Sequence, residues 1–333
     1  MPSIRARILN ALLRRMVKPL WRPGLTIEQI RHHTARSEAR LARHSKASVT
    51  EAVVLNGVPA TWYGEPELAE RNGTLLYLHG GAWCVHLPAL YAALASRLSD
   101  ATGLRVLLVD YRLAPEHPFP AAVDDCFNVY RALLDSPAGR PLALAGDSAG
   151  GNLSLVTLMR LRDAQLPLPD CAVLLSPATD LVPGGPSMRY NAHADPMFSP
   201  GAVDLVPQIY CAGADRTQAA ISPLHGDWSR LPPLYFLAGS TEMLLDDSVR
   251  AHDRALQAGT DSRIDVWPDL PHVFPLFEML PEAGRAFAEI VAFIGHHVRH
   301  AAVPPLGVAT RHEDPELPPA DVVSAESSDR SAL

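Results

Sequence analysis

The fold is decided by residues 141–152, which read PLALAGDSAGGN. The apolar run 142–145 predicts a short buried strand, and the apolar spacing over 149–162 predicts a helix. Ser148 therefore stands where a strand turns into a helix. Its neighbours, GDSAG at 146–150, fit the pattern G-x-S-x-G. In that pattern the glycines permit a sharp turn that holds the serine in a strained conformation, with its hydroxyl exposed above a sheet.

Apolar, strand-like segments alternate with amphipathic, helix-like segments on both sides of this junction. Buried strands are predicted over residues 74–78, 106–110, 172–175, 234–238 and 264–267. Helices are predicted over residues 87–98, 121–134, 202–210 and 283–294. An earlier pair of strands, 52–55 and 58–63, flanks the turn residues Asn56 and Gly57 and predicts an antiparallel hairpin. The alternation predicts an α/β protein with a mostly parallel central sheet that is flanked by helices.

The chain divides into three parts by its patterns. Residues 1–48 precede any strand and contain two helical patterns, which we expect to form N-terminal cap helices. Residues 49–302 carry the alternation of strands and helices and form the predicted catalytic domain. Within them, residues 181–231 are rich in proline and turns, and we expect this insertion to contribute to the cap. Residues 303–333 are rich in proline, serine and acidic residues, which predicts a disordered tail.

Composition narrows the classes of function. A hydrophobic content of 47%, a charged content of 20% and a net charge of -7 are ordinary for a globular protein and give no support for a nucleic-acid partner. The sequence contains no phosphate-binding glycine loop and no dinucleotide fingerprint, so no cofactor is expected. The four cysteines are widely spaced and form no C-x-x-C pair, which argues against a zinc site and a disulfide framework. His296 and His300, four residues apart, are interpreted as a solvated pair rather than a metal site.

The first predicted helix is basic and amphipathic, and two interpretations of it stand. It could bind an anionic lipid surface, or it could lie across the body of the protein, and we favour the second interpretation. The pattern differs from a signal peptide, and no apolar run approaches the roughly 18 residues of a membrane span. We therefore expect a cytoplasmic protein with no stable membrane insertion.

A serine hydroxyl needs a base, and the base needs an acid to orient it. His272 follows the predicted strand 264–267 and is the candidate base. The acid should follow the strand 234–238, because in one class of serine triad the members occur along the chain in the order serine, acid, histidine. Glu242 comes first in that loop and is our preferred acid, with Asp246 as the alternative. Asp247 is interpreted as a solvated helix residue.

A second glycine loop, LHGGAW at 78–83, follows a predicted strand. Small residues there would let backbone N–H groups approach a reacting carbonyl oxygen, although a plain structural turn is the alternative interpretation. The N–H of Ala149 opens the helix after Ser148, where unsatisfied donors and the positive helix end favour a developing negative charge.

Three motifs together resemble the hormone-sensitive-lipase family of α/β-hydrolases, in its bacterial branch. They are HGGAW at 79–83, DYRLAPEHPFPA at 110–121 and GDSAGGN at 146–152, and the likeness covers roughly residues 50 to 300. The resemblance implies the α/β-hydrolase fold with a helical cap and an esterase acting on short- to medium-chain acyl esters. It also implies Ser148 as nucleophile and His272 as base.

The same resemblance implies Gly80, Gly81 and Ala149 as oxyanion-hole positions. For the acid, the family pattern is Asp-Pro-Leu-x-Asp-Glu, in which Glu242 aligns with the first residue and Asp246 with the second aspartate. This chain therefore departs from the pattern at the acid.

The expected function is a serine carboxylic-ester hydrolase that cleaves esters or lactones through a Ser-His-acid triad and an acyl-enzyme. Its expected partner is a small-molecule ester, and a homodimer remains open. The alternative is a non-catalytic small-ligand receptor on the same fold. Plant receptors that resemble this family lost the catalytic histidine, so the presence of His272 argues against that alternative.

Overall fold

The computed structural model describes residues 2–21, 24–42, 51–136, 138, 140–182 and 184–298. The predicted tail, 303–333, and the pairing of His296 with His300 depend on residues outside these ranges. Both remain predictions.

A single eight-stranded sheet forms the centre of the described part of the chain. Its strands are β1 (Glu51–Leu55), β2 (Val58–Tyr63), β3 (Thr74–Leu78), β4 (Arg105–Val109), β5 (Ala143–Asp147), β6 (Cys171–Leu175), β7 (Leu234–Gly239) and β8 (Ser262–Trp267). Their order across the sheet is β1-β2-β4-β3-β5-β6-β7-β8. The first two strands pair antiparallel, as does β2 with β4, and all later pairs are parallel. The predicted antiparallel hairpin and the parallel sheet are both confirmed.

Helices cover the sheet. They are α1 (Ile4–Met16), α2 (Ile27–Ala42), α3 (Pro66–Asn72), α4 (Pro88–Thr102), α5 (Ala121–Leu134), α6 (Ala149–Asp163), α7 (Ser187–Tyr190), α8 (Pro200–Cys211), α9 (Leu245–Gln257) and α10 (Pro281–His297). Short 3-10 turns occupy Lys18–Trp21, Pro223–His225 and Phe274–Leu276. No helix among the described residues is both long enough and apolar enough to cross a bilayer.

Two apolar layers lie on opposite faces of the sheet, because successive strand side chains point to opposite sides. In β3, Leu76 and Leu78 belong to one layer, while Leu75 and Tyr77 belong to the other. Helices α5 and α6 pack on the first layer, and α4 and α10 pack on the second. The central strands are therefore buried on both faces, as parallel strands usually are.

The first helix lies across the body of the protein, which is the interpretation favoured from the sequence. Ala6, Leu9 and Leu13 of α1 are buried in the second apolar layer. Ser3 caps the helix by accepting from the Ala6 N–H, and its own N–H donates to Glu282 at 2.6 Å. These contacts hold α1 against the start of α10 without adding it to the sheet.

Candidate active site

Ser148 lies at the sharp turn between β5 and α6, as predicted. Its backbone adopts φ 52° and ψ −115°, a conformation that non-glycine residues rarely adopt and that indicates strain. The strain is held by hydrogen bonds on both sides: the Ser148 N–H donates to Leu175 O at 2.8 Å, and its carbonyl accepts from the Ala178 N–H at 3.1 Å. The turn is therefore fixed to the end of β6.

Close packing explains the two glycines of the motif. A Cβ atom on Gly146 would lie 2.4 Å from Gly150 O, and one on Gly150 would lie 1.9 Å from Leu78 O. Both distances are far below van der Waals contact. The helix after the serine can therefore approach β3 only because these residues lack side chains.

His272 and Glu242 form a buried pair. The Nδ1–H of His272 donates to Glu242 Oε2 at 2.8 Å, and both side chains are almost fully buried. The Nε2 atom of His272 has no hydrogen-bond partner among the described residues. The carboxylate therefore fixes the tautomer that leaves Nε2 able to accept a proton.

The other oxygen of Glu242 is also occupied. Oε1 accepts a hydrogen bond from Ser176 Oγ at 2.8 Å and another from the Gly239 N–H. Ser176 Oγ in turn accepts from the Val273 N–H at 3.1 Å. The end of β6 therefore contacts three parts of the site. Leu175 accepts from the Ser148 turn, and Ser176 contacts both Glu242 and the loop of His272.

The charge environment favours protonation of His272. Burial lowers the pKa of this imidazole, but the hydrogen bond and charge of Glu242 act in the opposite direction, with smaller help from Asp195 and Asp147. The net result is a pKa above the usual range of histidine. The site thus stabilises the imidazolium that forms when His272 takes a proton.

Asp246, the alternative acid, faces elsewhere. Its Oδ2 accepts from the Ser187 N–H at 2.6 Å, and its Oδ1 lies 3.3 Å from Tyr190 Oη, so both oxygens contact α7. The structure therefore brings Glu242, and not Asp246, to His272.

The prediction for Asp247 was wrong. This carboxylate is buried, and its Oδ2 accepts from the N–H groups of Thr179 and Asp180 at 2.7 and 3.0 Å. Burial raises its pKa to about 7, although Arg250 acts against the rise. A helix position that looks solvent-facing in the sequence thus supports the loop after β6.

The glycine loop after β3 differs from the expectation at one position. The Gly80 N–H points at Asp147 Oδ1 and Tyr91 Oη, each 2.9 Å away, and is therefore engaged within the protein. The N–H groups of Gly81 and Ala82 make no hydrogen bond to another described residue. Both residues have positive φ, 112° and 55°, which glycine adopts readily but which strains the backbone at Ala82. In this conformation the Gly80 N–H is therefore not free to bind an oxyanion, in contrast to those of Gly81 and Ala82.

Asp147 holds the glycine loop after β3 through hydrogen bonds. Besides Gly80, it accepts from Tyr77 Oη at 3.0 Å and from Tyr91 Oη at 2.9 Å. Complete burial raises the pKa of Asp147 to about 6, and these hydrogen bonds limit the rise. The variable position of the G-x-S-x-G pattern thus ties the serine turn to the glycine loop.

A largely apolar cavity of about 80 Å³ opens beside Ser148. Its other lining residues are Ala82, Trp83, Ala178, Asp180, Leu181, Met188, Phe198, Ala202, Val206, Pro207, Met243 and Leu244. Phe198 also contacts His272, with 4.8 Å between the ring centroids. The cavity therefore has Ser148 in its wall and is linked to His272 through Phe198.

A group of potential metal ligands lies near the glycine loop. The ligand atoms of His79, His86 and Asp110 are within 4.8 Å of one another. The two imidazoles are stacked with an interplanar angle of 26°, so their in-plane lone pairs cannot converge on one ion unless a ring rotates. The arrangement as it stands is an aromatic stack, continued by Tyr111 on the other face of His79.

Comparison with known proteins places this site in a family. A family model described as alpha/beta hydrolase fold matches residues 75–276, more than half of the chain. A crystal structure of an esterase from the bacterial hormone-sensitive lipase family superimposes with a TM-score of 0.81 and 35% identity, covering 90% of this chain and 100% of that one. The chain belongs to the hormone-sensitive-lipase-like family of α/β-hydrolases.

Two curated relatives indicate the reaction of this α/β-hydrolase. An acetyl-hydrolase of Streptomyces hygroscopicus is 42% identical over 230 residues, covering 68% of this chain and 77% of the relative. A carboxylesterase/phospholipase of Mycobacterium tuberculosis, LipF, is 30% identical over 320 residues, covering 92% of this chain and 85% of the relative. This α/β-hydrolase is accordingly an enzyme, a carboxylesterase.

Two polar residues of this α/β-hydrolase site were missed in the sequence. Ser176 follows an entirely apolar strand, and a polar residue at that sheet edge is a signal that could have found it. Asp195 gave no signal. It is fully buried, and it accepts from the N–H groups of Met243 and Phe198 at 2.8 and 2.9 Å, so it joins the residue after Glu242 to the wall of the cavity.

The cysteine beside the glycine loop is a packed thiol. Cys84 is buried, and burial raises its pKa to about 12 although Arg31 lies near. The thiol is therefore protonated at neutral pH and plays no part as a nucleophile.

Proposed function

We propose that this carboxylesterase hydrolyses short-chain acyl esters and lactones through a triad of Ser148, His272 and Glu242 and a covalent acyl-enzyme. The observation that carries the proposal is the His272–Glu242 hydrogen bond of 2.8 Å, together with Phe198, which contacts His272 and lines the same cavity as Ser148. Such an arrangement would supply a base with a fixed tautomer for a strained serine that lines the cavity.

In the first half of the reaction, Ser148 Oγ attacks the ester carbonyl while His272 Nε2 takes the hydroxyl proton. The carbonyl oxygen becomes an oxyanion, which the free N–H groups of Gly81, Ala82 and Ala149 would stabilise. The imidazolium then gives its proton to the leaving alcohol. The C–O bond to the alcohol breaks, and the acyl group remains on Ser148.

In the second half, water attacks the acyl-enzyme, and His272 takes one of its protons. The second oxyanion collapses, Ser148 Oγ leaves with the proton from His272, and the free acid departs. Glu242 would stabilise the imidazolium through the oxygen that faces His272, while its other oxygen is held by Ser176 and Gly239.

The cavity beside Ser148 supports a short acyl group. Its volume of about 80 Å³ is roughly half that of the apolar protein cavities of about 150 Å³ that hold benzene. The name of one relative, acetyl-hydrolase, agrees with a small acyl group. We propose that residues 1–48 and 181–231 together form the cap, since Phe198 and Trp21 make an edge-to-face contact with centroids 5.5 Å apart.

The nucleophile is tested by Ser148→Ala. We expect hydrolysis of a nitrophenyl ester to fall to the background rate while the melting temperature stays near that of the parent, because alanine fits the same turn. A fluorophosphonate probe should label Ser148 in the parent, and mass spectrometry of the labelled peptide identifies the site. Ser154→Ala, on α6, is the matched control and should remain active and labelled. Label on another residue contradicts the assignment.

The acyl preference is tested with nitrophenyl esters of two to twelve acyl carbons. We expect kcat/KM to peak at four carbons or fewer. Leu181→Ala removes bulk from the cavity wall and should move the peak to longer chains. A peak at eight carbons or more in the parent would contradict the short-chain assignment and leave the triad untouched.

A further inference from the structure

The outward face of α1 carries a row of exposed apolar side chains. Ile4, Ile8, Leu12 and Met16 are spaced four residues apart, which places them on successive turns of one side of the helix. Their exposed fractions are 67%, 56%, 50% and 65%. The opposite side of the same helix is the buried one. A helix that lies on a protein surface is usually polar on its outer face, so this row needs an explanation.

Basic side chains accompany the row. Arg5, Arg7, Arg14 and Arg15 are all exposed, and α1 contains no acidic residue. Arg5 also donates to the carbonyl of Met279 at 3.1 Å, which brings another exposed apolar side chain, 58% exposed, to the same surface.

Three acidic residues near α1 are Glu278, Glu282 and Asp269, and Glu278 lies 3.9 Å from Arg97, which offsets its charge. Glu282 accepts hydrogen bonds from Ser3, so its charge is used within the protein. Asp269 lines a groove with Arg7 and Arg14 at one edge of the helix. The net charge of the surface around this apolar row is therefore positive, whereas the whole chain has a net charge of -7.

We propose that this face of α1 docks the enzyme on an anionic lipid surface. In such docking a helix lies in the plane of the interface, its apolar residues enter the boundary between headgroups and acyl chains, and its arginines contact lipid phosphates. Ile4, Ile8, Leu12 and Met16 supply the apolar row, and Arg5, Arg7 and Arg15 supply the cations.

A second copy of the chain fits this face less well. A two-fold interface brings the same patch of both subunits together, so the arginines around one row would meet those around the other. That repulsion disfavours self-association, whereas anionic phosphates neutralise the same charges.

Docking would place the acyl cavity beside the membrane. Just after α1, Lys18 Nζ donates to the carbonyls of Ala192 and Asp195 at 2.8 and 2.7 Å. Asp195 in turn holds Phe198, which lines the cavity. This consequence for ester supply depends on the proposed function, whereas the docking itself does not.

The test measures binding without hydrolysis, in the full chain with Ser148→Ala. We expect the protein to sediment with vesicles of equal phosphatidylglycerol and phosphatidylcholine, to bind phosphatidylcholine alone at least tenfold more weakly, and to be released by salt. Ile8→Ser with Leu12→Ser should weaken binding at least tenfold. Arg7→Gln with Arg15→Gln should weaken it by about tenfold or more, since each basic residue near an anionic surface contributes roughly fivefold.

The matched control is Leu256→Ser, which replaces an equally exposed apolar residue on α9. It should bind the vesicles as the parent does, and thermal melting should show that all variants remain folded. Absence of sedimentation, or equal binding by the Ile8→Ser, Leu12→Ser variant, overturns the proposal. A dimer detected by light scattering that these changes dissociate would also overturn it, because the face would then bind a second copy. None of these readouts requires an active triad.

Discussion

Glu242 shows how both oxygens of a buried carboxylate can find hydrogen-bond donors. A charge removed from water is costly unless every oxygen finds a donor. Here one oxygen faces His272, and the other accepts from Ser176 and Gly239. The arrangement accommodates a glutamate at the position where the family pattern has an aspartate, because the surrounding donors hold both of its oxygens.

We predict that Glu242→Gln lowers kcat by about ten-thousandfold, as loss of the triad carboxylate charge does in serine proteases. The amide keeps the size of the side chain but cannot stabilise the imidazolium. Asp246→Asn is the matched control and should cost at most about tenfold, because Asp246 contacts α7 and not His272. Steady-state kinetics on a nitrophenyl ester measure both. The reverse order of losses would make Asp246 the triad acid.

The raised pKa of His272 predicts the pH dependence of the reaction. The base must be neutral to take a proton, so kcat/KM should fall as pH decreases through the pKa of His272 in the folded enzyme. Because Glu242 raises that pKa, the midpoint should lie above about 6.5, the ordinary value for histidine. Asp195→Asn removes a charge that also raises the pKa of His272, so the midpoint should move to lower pH. An unchanged midpoint would show that Asp195 does not act on His272.

The sequence predicted the residues whose roles follow from local patterns. Ser148 lies in a five-residue motif, and His272 and Glu242 follow predicted strands in the expected chain order. It could not predict that the Gly80 N–H faces Asp147, because the direction of one peptide group depends on a tyrosine and an aspartate from other elements. The same holds for Asp195, whose partners are distant in sequence.

At the scale of elements, the approach of α6 to β3 depends on the absence of a side chain at Gly150. We predict that Gly150→Ala unfolds the protein or destabilises it by roughly 3 kcal/mol or more, because the new Cβ would meet the Leu78 carbonyl at 1.9 Å. Gly284→Ala is the control on α10, where no atom lies within 4 Å of the added Cβ. It should stabilise by roughly 0.5–1 kcal/mol, since alanine favours a helix. Urea unfolding compares the two, and a tolerated Gly150→Ala would contradict the packing argument.

The strands were predicted within one or two residues, because apolar runs bounded by turns are distinctive. Helix α3 was missed for a physical reason: none of its residues is buried, so it has no apolar stripe to give a periodic signal. Helix α7, of four residues, is too short for any periodicity. The helices that were predicted are longer, and each buries apolar residues that repeat with the helical period.

At the scale of the whole molecule, buried acids make stability depend on pH. The folded-state pKa values of Asp147 and Asp247 are about 6 and 7, both above the usual value of 3.8. A raised folded-state pKa means that the native state binds protons more tightly than the unfolded state. The stabilisation is therefore complete below about pH 4 and is lost as pH rises through 6 to 7.

We predict that Asp247→Asn removes part of this dependence. The unfolding free energy of the variant, relative to the parent, should increase by on the order of 2–4 kcal/mol between pH 4.5 and pH 7.5. The exposed Asp253→Asn, on the same helix, is the control and should follow the parent at both pH values. Urea unfolding at the two pH values gives the comparison. A constant difference between variant and parent would show that Asp247 titrates normally.

The proposed catalytic side chains come from the loops after β5, β7 and β8, whereas most of the cavity wall comes from the segment between β6 and β7. Natural selection can thus change which esters fit by substitutions in a segment that contributes no group to bond breaking. New specificities can arise without an inactive intermediate. Asp195 and Ser176 are exceptions in that segment, since replacing Asp195 would disturb the loop of the acid and replacing Ser176 would remove a donor to Glu242 itself. Divergent esterases of this kind should vary at Met188 and Val206 before they vary at Asp195.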